Sequence, residues 1–452
     1  MKKRLITAAC VLFWFVVWQV AAMLLGQELL LVSPVRAVGR LLELLPTAGF
    51  LRSVAFSSGR ILGGFALGLA SGTALALLAG KIRFVRTLLS PLITAVKAVP
   101  VASITVLALV WVSSRNLSVL VTFLIALPVV YSNMLESLDS LDPKLTEMAG
   151  LYHISGWRRF AGVYLSQLLP GFRSAAKLAI GLSWKSGAAA EVIGIPSGSI
   201  GEKLYEAKVY LETADLFAWT IAVILLSWLS EKLFLLLVGF AVKAVSGKNA
   251  FRCRNYRVPE TAPVGLRAER ITKRFGANTV LNWFSADFPA GEITAVMGES
   301  GCGKTTLLRI LAGLLPADGG EVSGQSARLS AVFQEDRLCG NLTAAANVRL
   351  VCGDYRSEGD ISAAFRAVGL AGCEDRPARE LSGGMKRRVA LVRALLAEGG
   401  AVLLDEPFKG LDEVTKRQAM EFTRERLSGR TAVIVTHDRI EAEKLADVII
   451  EL

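Results

Sequence analysis

The chain has 452 residues, too many for one compact domain, and a formal net charge of +12 at neutral pH. Residues 1–262 carry 26 Lys and Arg against 13 Asp and Glu, whereas residues 263–452 carry 25 against 26. The basic residues of the first part stand in short clusters beside apolar runs, a pattern typical of membrane topology signals and not of a nucleic-acid-binding surface. The 6 cysteines show no C-x-x-C spacing, so they indicate neither a disulfide framework nor a zinc site.

Residues 1–242 contain six apolar runs, and we predict that each one crosses the membrane as a helix. The first run follows Lys2-Lys3-Arg4, and this basic flank places the amino terminus in the cytoplasm. A cleaved signal peptide is the alternative, but the run exceeds the roughly 7–15 apolar residues of such a peptide. Residues 26–58 are predicted to form an interfacial or external segment. The predicted spans are Leu5–Leu25, Ile61–Ala79, Val99–Val112, Leu117–Tyr131, Lys177–Ile195 and Leu216–Val238.

The charges of the connecting loops agree with six spans. Basic residues cluster in the turn 81–86, in the loop between the fourth and fifth runs and in the tail after the sixth run. The loop 196–215, between the fifth and sixth runs, is acidic on balance. Because basic loops stay in the cytoplasm, we expect a multi-pass protein of the plasma membrane with both termini and the second half of the chain in the cytoplasm.

Residues 298–306 read Gly-Glu-Ser-Gly-Cys-Gly-Lys-Thr-Thr and fit the pattern G-x-x-x-x-G-K-[ST]. The flanking runs predict a buried strand over 293–297 and the start of a helix over 306–311. In that setting, backbone N–H groups at a helix amino terminus bind a phosphate chain. The motif resembles that of P-loop nucleotide-binding proteins. The predicted nucleotide-binding residues of this loop are Gly298, Ser300, Gly301, Cys302, Gly303, Lys304, Thr305 and Thr306.

Four further elements make the resemblance specific to ABC ATPases. Gln334, in Ala-Val-Phe-Gln-Glu-Asp, matches the Q-loop glutamine of that family, and residues 381–388 match its signature sequence. Residues 401–407 form an apolar run that ends in two carboxylates, and residues 433–438 carry a histidine after a β-like run. Phe275 stands where the family has an aromatic side chain that stacks on adenine. We therefore expect an α/β P-loop ABC ATPase domain over residues 264–452, after a linker over residues 243–263.

The resemblance assigns roles to these residues. Phosphoryl transfer to water needs charge neutralisation and an oriented nucleophile. Lys304 and a Mg²⁺ ion are expected to neutralise the phosphates of ATP, Glu406 to polarise the attacking water, and His437 to hold the γ-phosphate or the base. The expected Mg²⁺ ligands are Thr305, Gln334 and Asp405, and Gln334 is also expected to contact the attacking water. The signature residues Ser382, Gly383 and Gly384 are expected to bind ATP held by a second subunit, which implies a homodimer or pairing with a similar half-transporter.

The loop between the fourth and fifth runs resembles the EAA loop of permease subunits of binding-protein-dependent ABC importers. Glu147 and Ala149 match that motif, as does the pair Leu169-Pro170 downstream. Met148 stands where the family usually has Ala, and His153 stands where it usually has Gly. In the family, a short helix of this loop docks on the ATPase. We therefore expect residues 143–171 to be a coupling loop, and the resemblance implies an external substrate-binding lipoprotein and a bacterial inner membrane.

The fifth apolar run resembles that of importers in the nitrate, sulfonate and taurine group, through Trp184, Ala190, Glu191 and Gly194. The sequence thus predicts an all-α transmembrane domain like a type I ABC importer permease over residues 1–242, followed by the ATPase domain. The implied function is ATP-driven import of a small anionic solute. The alternatives are an exporter half-transporter, which needs longer cytoplasmic helices than the turn at 81–86 allows, and a membrane-anchored ABC ATPase that does not transport.

Two lysines lie inside apolar runs, where a charge is costly. Lys97 and Lys185 either face the path of an anionic solute or lie near a span end and extend their ammonium groups to the interface. The sequence leaves both interpretations open.

Overall fold

The structure is a computed structural model, and it describes residues 2–246, 251, 262–299, 301–325, 328–352 and 355–452. The predicted phosphate-loop residue Ser300 and most of the predicted linker 243–263 lie outside the described residues. The chain forms two compact units, one of Met1–Ser140 with Leu168–Gly239 and the other of Leu141–Gln167 with Phe240–Leu452. Most of the loop that we predicted to be the coupling loop therefore belongs to the same compact unit as the carboxyl-terminal part of the chain.

The first unit is helical. Helices α3 (Ala48–Lys81) and α6 (Ser114–Asp139) approach each other closely, because Gly64, Gly68 and Gly72 form a stripe along α3. A Cβ atom at Gly68 would lie only 2.6 Å from the Cβ atom of Ala126 on α6. The nine helices that lie mainly in this unit are α1 (Lys2–Leu25), α2 (Pro34–Leu44), α3 (Ala48–Lys81), α4 (Arg83–Ala98), α5 (Val101–Ala108), α6 (Ser114–Asp139), α9 (Ser166–Gly194), α10 (Ile200–Val209) and α11 (Thr213–Ser246).

Five of the six predicted spans lie within single helices, apart from one residue at the end of the fifth, but the third does not. The predicted span Val99–Val112 is not a single helix, because only the short α5 forms there and it is bent by 99° from α4. Pro100 causes the break, since it has no N–H group to continue α4 and it caps α5 instead. By length and composition, three of the described helices (α3, α6 and α11) can cross a membrane, and the bent pair would make a fourth. The number six is therefore not confirmed.

The second unit begins with the segment before α9. Pro143 opens α7 (Pro143–Leu151), where the side chain of Asp142 caps the helix by accepting a hydrogen bond from the N–H group of Lys144. The short α8 (Gly156–Arg159) and a π-helical turn (Phe160–Leu165) follow. These elements pack against the two sheets of the carboxyl-terminal region through a shared hydrophobic cluster.

The carboxyl-terminal region has the predicted α/β fold. A three-stranded antiparallel sheet has the order β2-β1-β4, and a five-stranded parallel sheet has the order β5-β6-β7-β3-β8. Strands β5, β6 and β7 are buried along their whole length, as their mainly apolar sequences predict, whereas β8 at the edge of the sheet is largely exposed. The strands are β1 (Leu266–Phe275), β2 (Asn278–Phe288), β3 (Ile293–Met297), β4 (Gly319–Ser323), β5 (Leu329–Val332), β6 (Ala401–Asp405), β7 (Thr431–Val435) and β8 (Val448–Glu451), and the helices are α12 (Lys304–Leu311), α13 (Ala344–Cys352), α14 (Glu358–Ala367), α15 (Gly383–Leu396), α16 (Glu413–Leu427) and α17 (Arg439–Leu445).

The elements around the phosphate loop confirm the local prediction with one adjustment. The strand predicted over 293–297 is β3. The helix predicted to begin near Thr306 begins at Lys304, because Gly303 adopts a left-handed conformation (φ 110°) and serves as its amino-terminal cap.

Candidate nucleotide site and coupling segment

The candidate site lies at the carboxyl end of the parallel sheet. Strands β6, β7 and β3 are adjacent and parallel, so the segments that follow them meet at one edge. The phosphate loop follows β3, the carboxylates of Asp405 and Glu406 end β6, and His437 comes two residues after β7. The sheet order thus brings the phosphate loop together with Asp405 and His437, which lie 101 and 133 residues after Lys304 in the sequence.

The phosphate loop is tightly turned. Gly301 has a φ angle of 91°, and a Cβ atom at Gly303 would lie 2.9 Å from Cγ1 of Val280, so both positions favour glycine. The ammonium group of Lys304 donates hydrogen bonds to the carbonyl groups of Gly298 (2.7 Å) and Glu299 (2.6 Å). It also lies 3.7 Å from the sulfur atom of Cys302. The lysine is therefore directed into the loop that would surround a phosphate chain.

Asp405 has the properties expected of a cation ligand. Its side chain is buried, and its Oδ1 atom has no hydrogen-bond partner in the described part of the chain. Burial raises the pKa of Asp405, and a hydrogen bond from the Thr305 hydroxyl group opposes this effect only in part. Thr305, Asp405 and Gln334 line one cavity, so a carboxylate, a hydroxyl and an amide face the same space. These are the oxygen donors that a small divalent cation prefers.

Glu406 is held in an unusual backbone conformation. Its φ angle is 44°, which costs a non-glycine residue on the order of 1 kcal/mol, and its N–H group donates to the carbonyl group of Val435 (2.9 Å). Its carboxylate lies between Nδ1 of His437 (3.1 Å) and the ammonium group of Lys409 (2.6 Å). Burial acts to raise the pKa of Glu406, but the hydrogen bonds from Lys409 and His437 outweigh it, and the pKa lies below its usual value.

The signature residues and Phe275 lie at other places. Ser382 caps α15, and its hydroxyl oxygen accepts a hydrogen bond from the N–H group of Met385 (3.3 Å). Gly383 and Gly384 form the first turn of that helix. No hydrogen bond between described residues joins this turn to the phosphate loop of the same chain. Phe275 ends β1 with 52% of its surface exposed, and the ammonium group of Lys273 lies 5.6 Å from its ring centre.

Sequence reasoning missed two residues at this site. Lys409 is not among the residues that the sequence analysis assigned to the site, yet its ion pair with Glu406 follows from a spacing of three residues. Arg387 lies inside the signature match, and nothing local shows that its guanidinium group is buried against the main chain beside Asp405. The first could have been found from charge spacing, whereas the second depends on long-range packing.

The helix α7 docks within the second unit through one carboxylate. Glu147 accepts hydrogen bonds from Nη2 of Arg309 (3.3 Å) and Nη1 of Arg337 (3.0 Å). Arg309 lies on α12, which follows the phosphate loop, and Arg337 lies three residues after Gln334. The predicted coupling residue Glu147 therefore contacts both segments that flank the nucleotide motifs.

Further contacts fix the same segment. The hydroxyl group of Tyr152 donates to the carbonyl group of Ala331 (2.8 Å) and accepts from the N–H group of Ala331 (3.2 Å), and Lys144 forms an ion pair with Glu335 (2.6 Å).

The two departures from the EAA pattern also have physical explanations. Met148 is fully buried in the hydrophobic cluster, where its larger side chain fills space, and His153 adopts the left-handed conformation (φ 50°) that glycine would adopt more easily.

Comparisons with known proteins agree with this architecture. Residues 68–247 match the family described as binding-protein-dependent transport system inner membrane component, and residues 281–409 match the ABC transporter family. The chain is 43% identical over 210 residues to the aliphatic sulfonates import ATP-binding protein SsuB 1 of Rhizobium johnstonii, a match that covers 43% of this chain and 76% of that protein.

Another relative and a solved structure are also similar to part of this chain. The chain is 40% identical to the sulfate/thiosulfate import ATP-binding protein CysA of Xanthomonas campestris, over 41% of this chain and 60% of that protein. A dimeric structure of a bacterial ABC transporter cassette is 28% identical, with a TM-score of 0.38, and the match covers 41% of this chain and 94% of the cassette.

The chain therefore belongs to the ABC transporters, and it joins an importer-type permease and an ABC ATPase in one polypeptide. It is a membrane protein whose ATPase domain binds ATP and couples ATP hydrolysis to transport.

Proposed function

We propose that the protein imports a small anionic solute, such as a sulfonate, taurine or nitrate, across the bacterial inner membrane. The importer class rests on the family matches, and the similarity to ATP-binding proteins of sulfonate and sulfate importers supports an anionic solute. The docking of Glu147 on Arg309 and Arg337 carries the proposal, because it gives the ATPase a mechanical connection to the segment before α9. An external substrate-binding lipoprotein would deliver the solute.

In the proposed ATP site, Lys304 and the N–H groups of the phosphate loop bind the β and γ phosphates. Thr305, Asp405 and Gln334 hold Mg²⁺, which neutralises phosphate charge when bound. The unpartnered Oδ1 atom of Asp405 and the Thr305 hydroxyl group fit this role. Phe275 stacks on adenine, which its exposure permits.

Glu406 is the proposed general base. Its carboxylate accepts a proton from the attacking water, and its low pKa keeps it ionised at neutral pH. His437 holds that carboxylate from the other side at 3.1 Å and is placed to contact the γ-phosphate. The Glu406 carboxylate must therefore accept hydrogen bonds both from Lys409 and from the water that it polarises.

The proposed working unit is a homodimer. Ser382, Gly383 and Gly384 start a helix, where N–H groups point outward and favour an anion. We infer that they bind the γ-phosphate of ATP held by the second copy, so that each chain contributes half of each ATP site. Both termini and the ATPase domain lie in the cytoplasm in this arrangement.

The two intramembrane lysines differ in their surroundings. Both side chains are exposed, but the ammonium group of Lys97 donates to the hydroxyl group of Ser132 (2.6 Å), whereas that of Lys185 makes no hydrogen bond or ion pair with a described residue. Lys185 is therefore the better candidate for attracting an anionic solute.

The proposal is tested by uptake of a radiolabelled alkanesulfonate in cells that express the chain together with its binding protein. We expect uptake with the native chain and none with Glu406→Gln, which should retain ATP binding and lose hydrolysis. Rapid hydrolysis by Glu406→Gln would refute the assignment of the base. Active hydrolysis without uptake of any sulfonate, taurine or nitrate would refute the solute class and leave the ATPase assignment intact.

A further inference from the structure

Arg387, the fifth residue of α15, has a buried guanidinium group surrounded by main-chain carbonyl groups. Its surface is 4% exposed. It is one of two buried arginines on this helix that point toward the segment after β5, and the other is Arg393. A buried cation needs partners for nearly all of its N–H groups, so its contacts define what it holds in place.

One side of the guanidinium group binds the turn that carries the proposed base. Nη2 donates hydrogen bonds to the carbonyl groups of Asp405 (2.5 Å) and Glu406 (2.6 Å). Glu406 has the left-handed backbone conformation described above, and nothing in its own sequence favours that conformation. A hydrogen bond to the carbonyl group of a residue fixes the orientation of the peptide plane that follows that residue. Arg387 therefore stabilises the conformation that directs the Glu406 side chain toward His437.

The other side of the guanidinium group binds the segment that contains Gln334. Nη1 donates to the carbonyl groups of Phe333 (2.5 Å) and Gln334 (3.3 Å), and it lies 3.4 Å from the carboxylate of Asp336. Arg393 donates to the carbonyl groups of Asp336 (3.0 Å) and Arg337 (2.7 Å) and does not contact the turn after β6. The two arginines together fix residues 333–337, but only Arg387 joins them to Glu406.

The same segment receives the docking helix. Glu335 pairs with Lys144, and Arg337 pairs with Glu147, while Asp336 between them contacts Arg387. Residues 335–337 thus connect α7 to the guanidinium group. Only a planar group with several fixed donors can bind both carbonyl pairs at once, because an ammonium group is a single point donor.

We propose that Arg387 is a positioning residue that holds Glu406 and Gln334 at a fixed position relative to each other and transmits the docking of α7 to the base. This role rests on the proposed function of Glu406 as the base. Arg387 does not touch the nucleotide in this role. It acts through the main chain of the residues that do.

The test compares Arg387→Gln and Arg387→Lys with the native full-length chain in lipid nanodiscs. ATP binding is measured by a fluorescent nucleotide, and the kcat of ATP hydrolysis is measured separately. Displacement of a catalytic group by about 1 Å can cost about a hundredfold in rate. We therefore expect kcat to fall about a hundredfold in Arg387→Gln with little change in ATP binding. Arg387→Lys should recover part of the loss, because it keeps one of the two contacts.

A folding measurement separates positioning from simple loss of stability. Thermal unfolding of each variant gives the temperature below which it is folded, and kcat and ATP binding are compared there. A matched control is Arg430→Gln, which removes a partly buried guanidinium group that, among the described residues, donates to the carbonyl groups of Leu395 (2.9 Å) and Ala397 (3.2 Å). The control should lose stability and keep native kcat and ATP binding at a temperature where it is folded.

Two results would overturn the positioning role. One is native kcat in folded Arg387→Gln, and the other is native kcat in Arg387→Lys if the glutamine variant does not fold. Glu406→Gln distinguishes failure of this inference from failure of the base assignment. If Glu406→Gln is inactive while the Arg387 variants are fully active, only the positioning role fails. Rapid hydrolysis by Glu406→Gln would remove the base assignment, and the positioning role with it.

Discussion

Replacement of Glu147 by Gln is expected to loosen the docking of α7 by a measurable amount. Glu147 is paired with Arg309 and Arg337, and the side chain of Arg337 is only 6% exposed. An exposed ion pair contributes about 0–1 kcal/mol, whereas removing the partner of a fully buried charge costs about 3–5 kcal/mol. The side chain of Glu147 is 34% exposed, so its case lies between these limits.

We therefore expect a loss of about 2 kcal/mol in the free energy that holds α7 against the ATPase region, which corresponds to about a 30-fold change in an equilibrium constant. The measurement is hydrogen–deuterium exchange of the backbone amides of residues 143–151 in the full-length chain. If local opening limits exchange, these amides should exchange about 30-fold faster in Glu147→Gln than in the native chain. ATP binding should not change, because the phosphate loop is not altered.

A matched control is Glu335→Gln, which breaks the ion pair with Lys144. Both of these side chains are about half exposed, so removal of the pair should change exchange by about fivefold or less. The reasoning would be refuted if Glu147→Gln left exchange of residues 143–151 unchanged. It would also be refuted if the two variants increased exchange equally, because burial of Arg337 would then have no energetic consequence.

Two further predictions concern the ATP site. Lys409→Ser should raise the pKa of Glu406, because one of the hydrogen bonds that lower this pKa is lost. The acid limb of the pH profile of kcat should therefore move to higher pH. If the limb does not move, Lys409 does not contact the base during turnover. Asp405→Asn should raise the Mg²⁺ concentration needed for half-maximal hydrolysis. Because burial raises the pKa of Asp405, its ionised form destabilises the folded chain above that pKa, and the variant should unfold at an equal or higher temperature without Mg²⁺ at neutral pH. A lower unfolding temperature would contradict this sign.

The sequence by itself determined the parts of the protein that depend on neighbouring residues. The phosphate loop, the buried strand β3 and the order of the nucleotide motifs are local patterns, and they indicated the α/β ATPase correctly. Apolar runs predicted most of the membrane helices in the same way. The third predicted span is not a single helix because the apolar run Val99–Val112 contains Pro100, whose effect on helix direction is a backbone property that hydropathy does not record.

Only the tertiary structure decided how distant segments act together. The order of strands β6, β7 and β3 places Glu406 beside His437, and it is the packing of α15 that buries Arg387 against the carbonyl groups of Phe333 and Glu406. A buried arginine bound to main-chain carbonyl groups leaves no mark in the sequence of its partners, since every residue has a carbonyl group. The pairing of Glu147 with two arginines that are more than 160 residues away is likewise fixed by folding. The sequence shows which residues can react, and the fold determines which of them are held together.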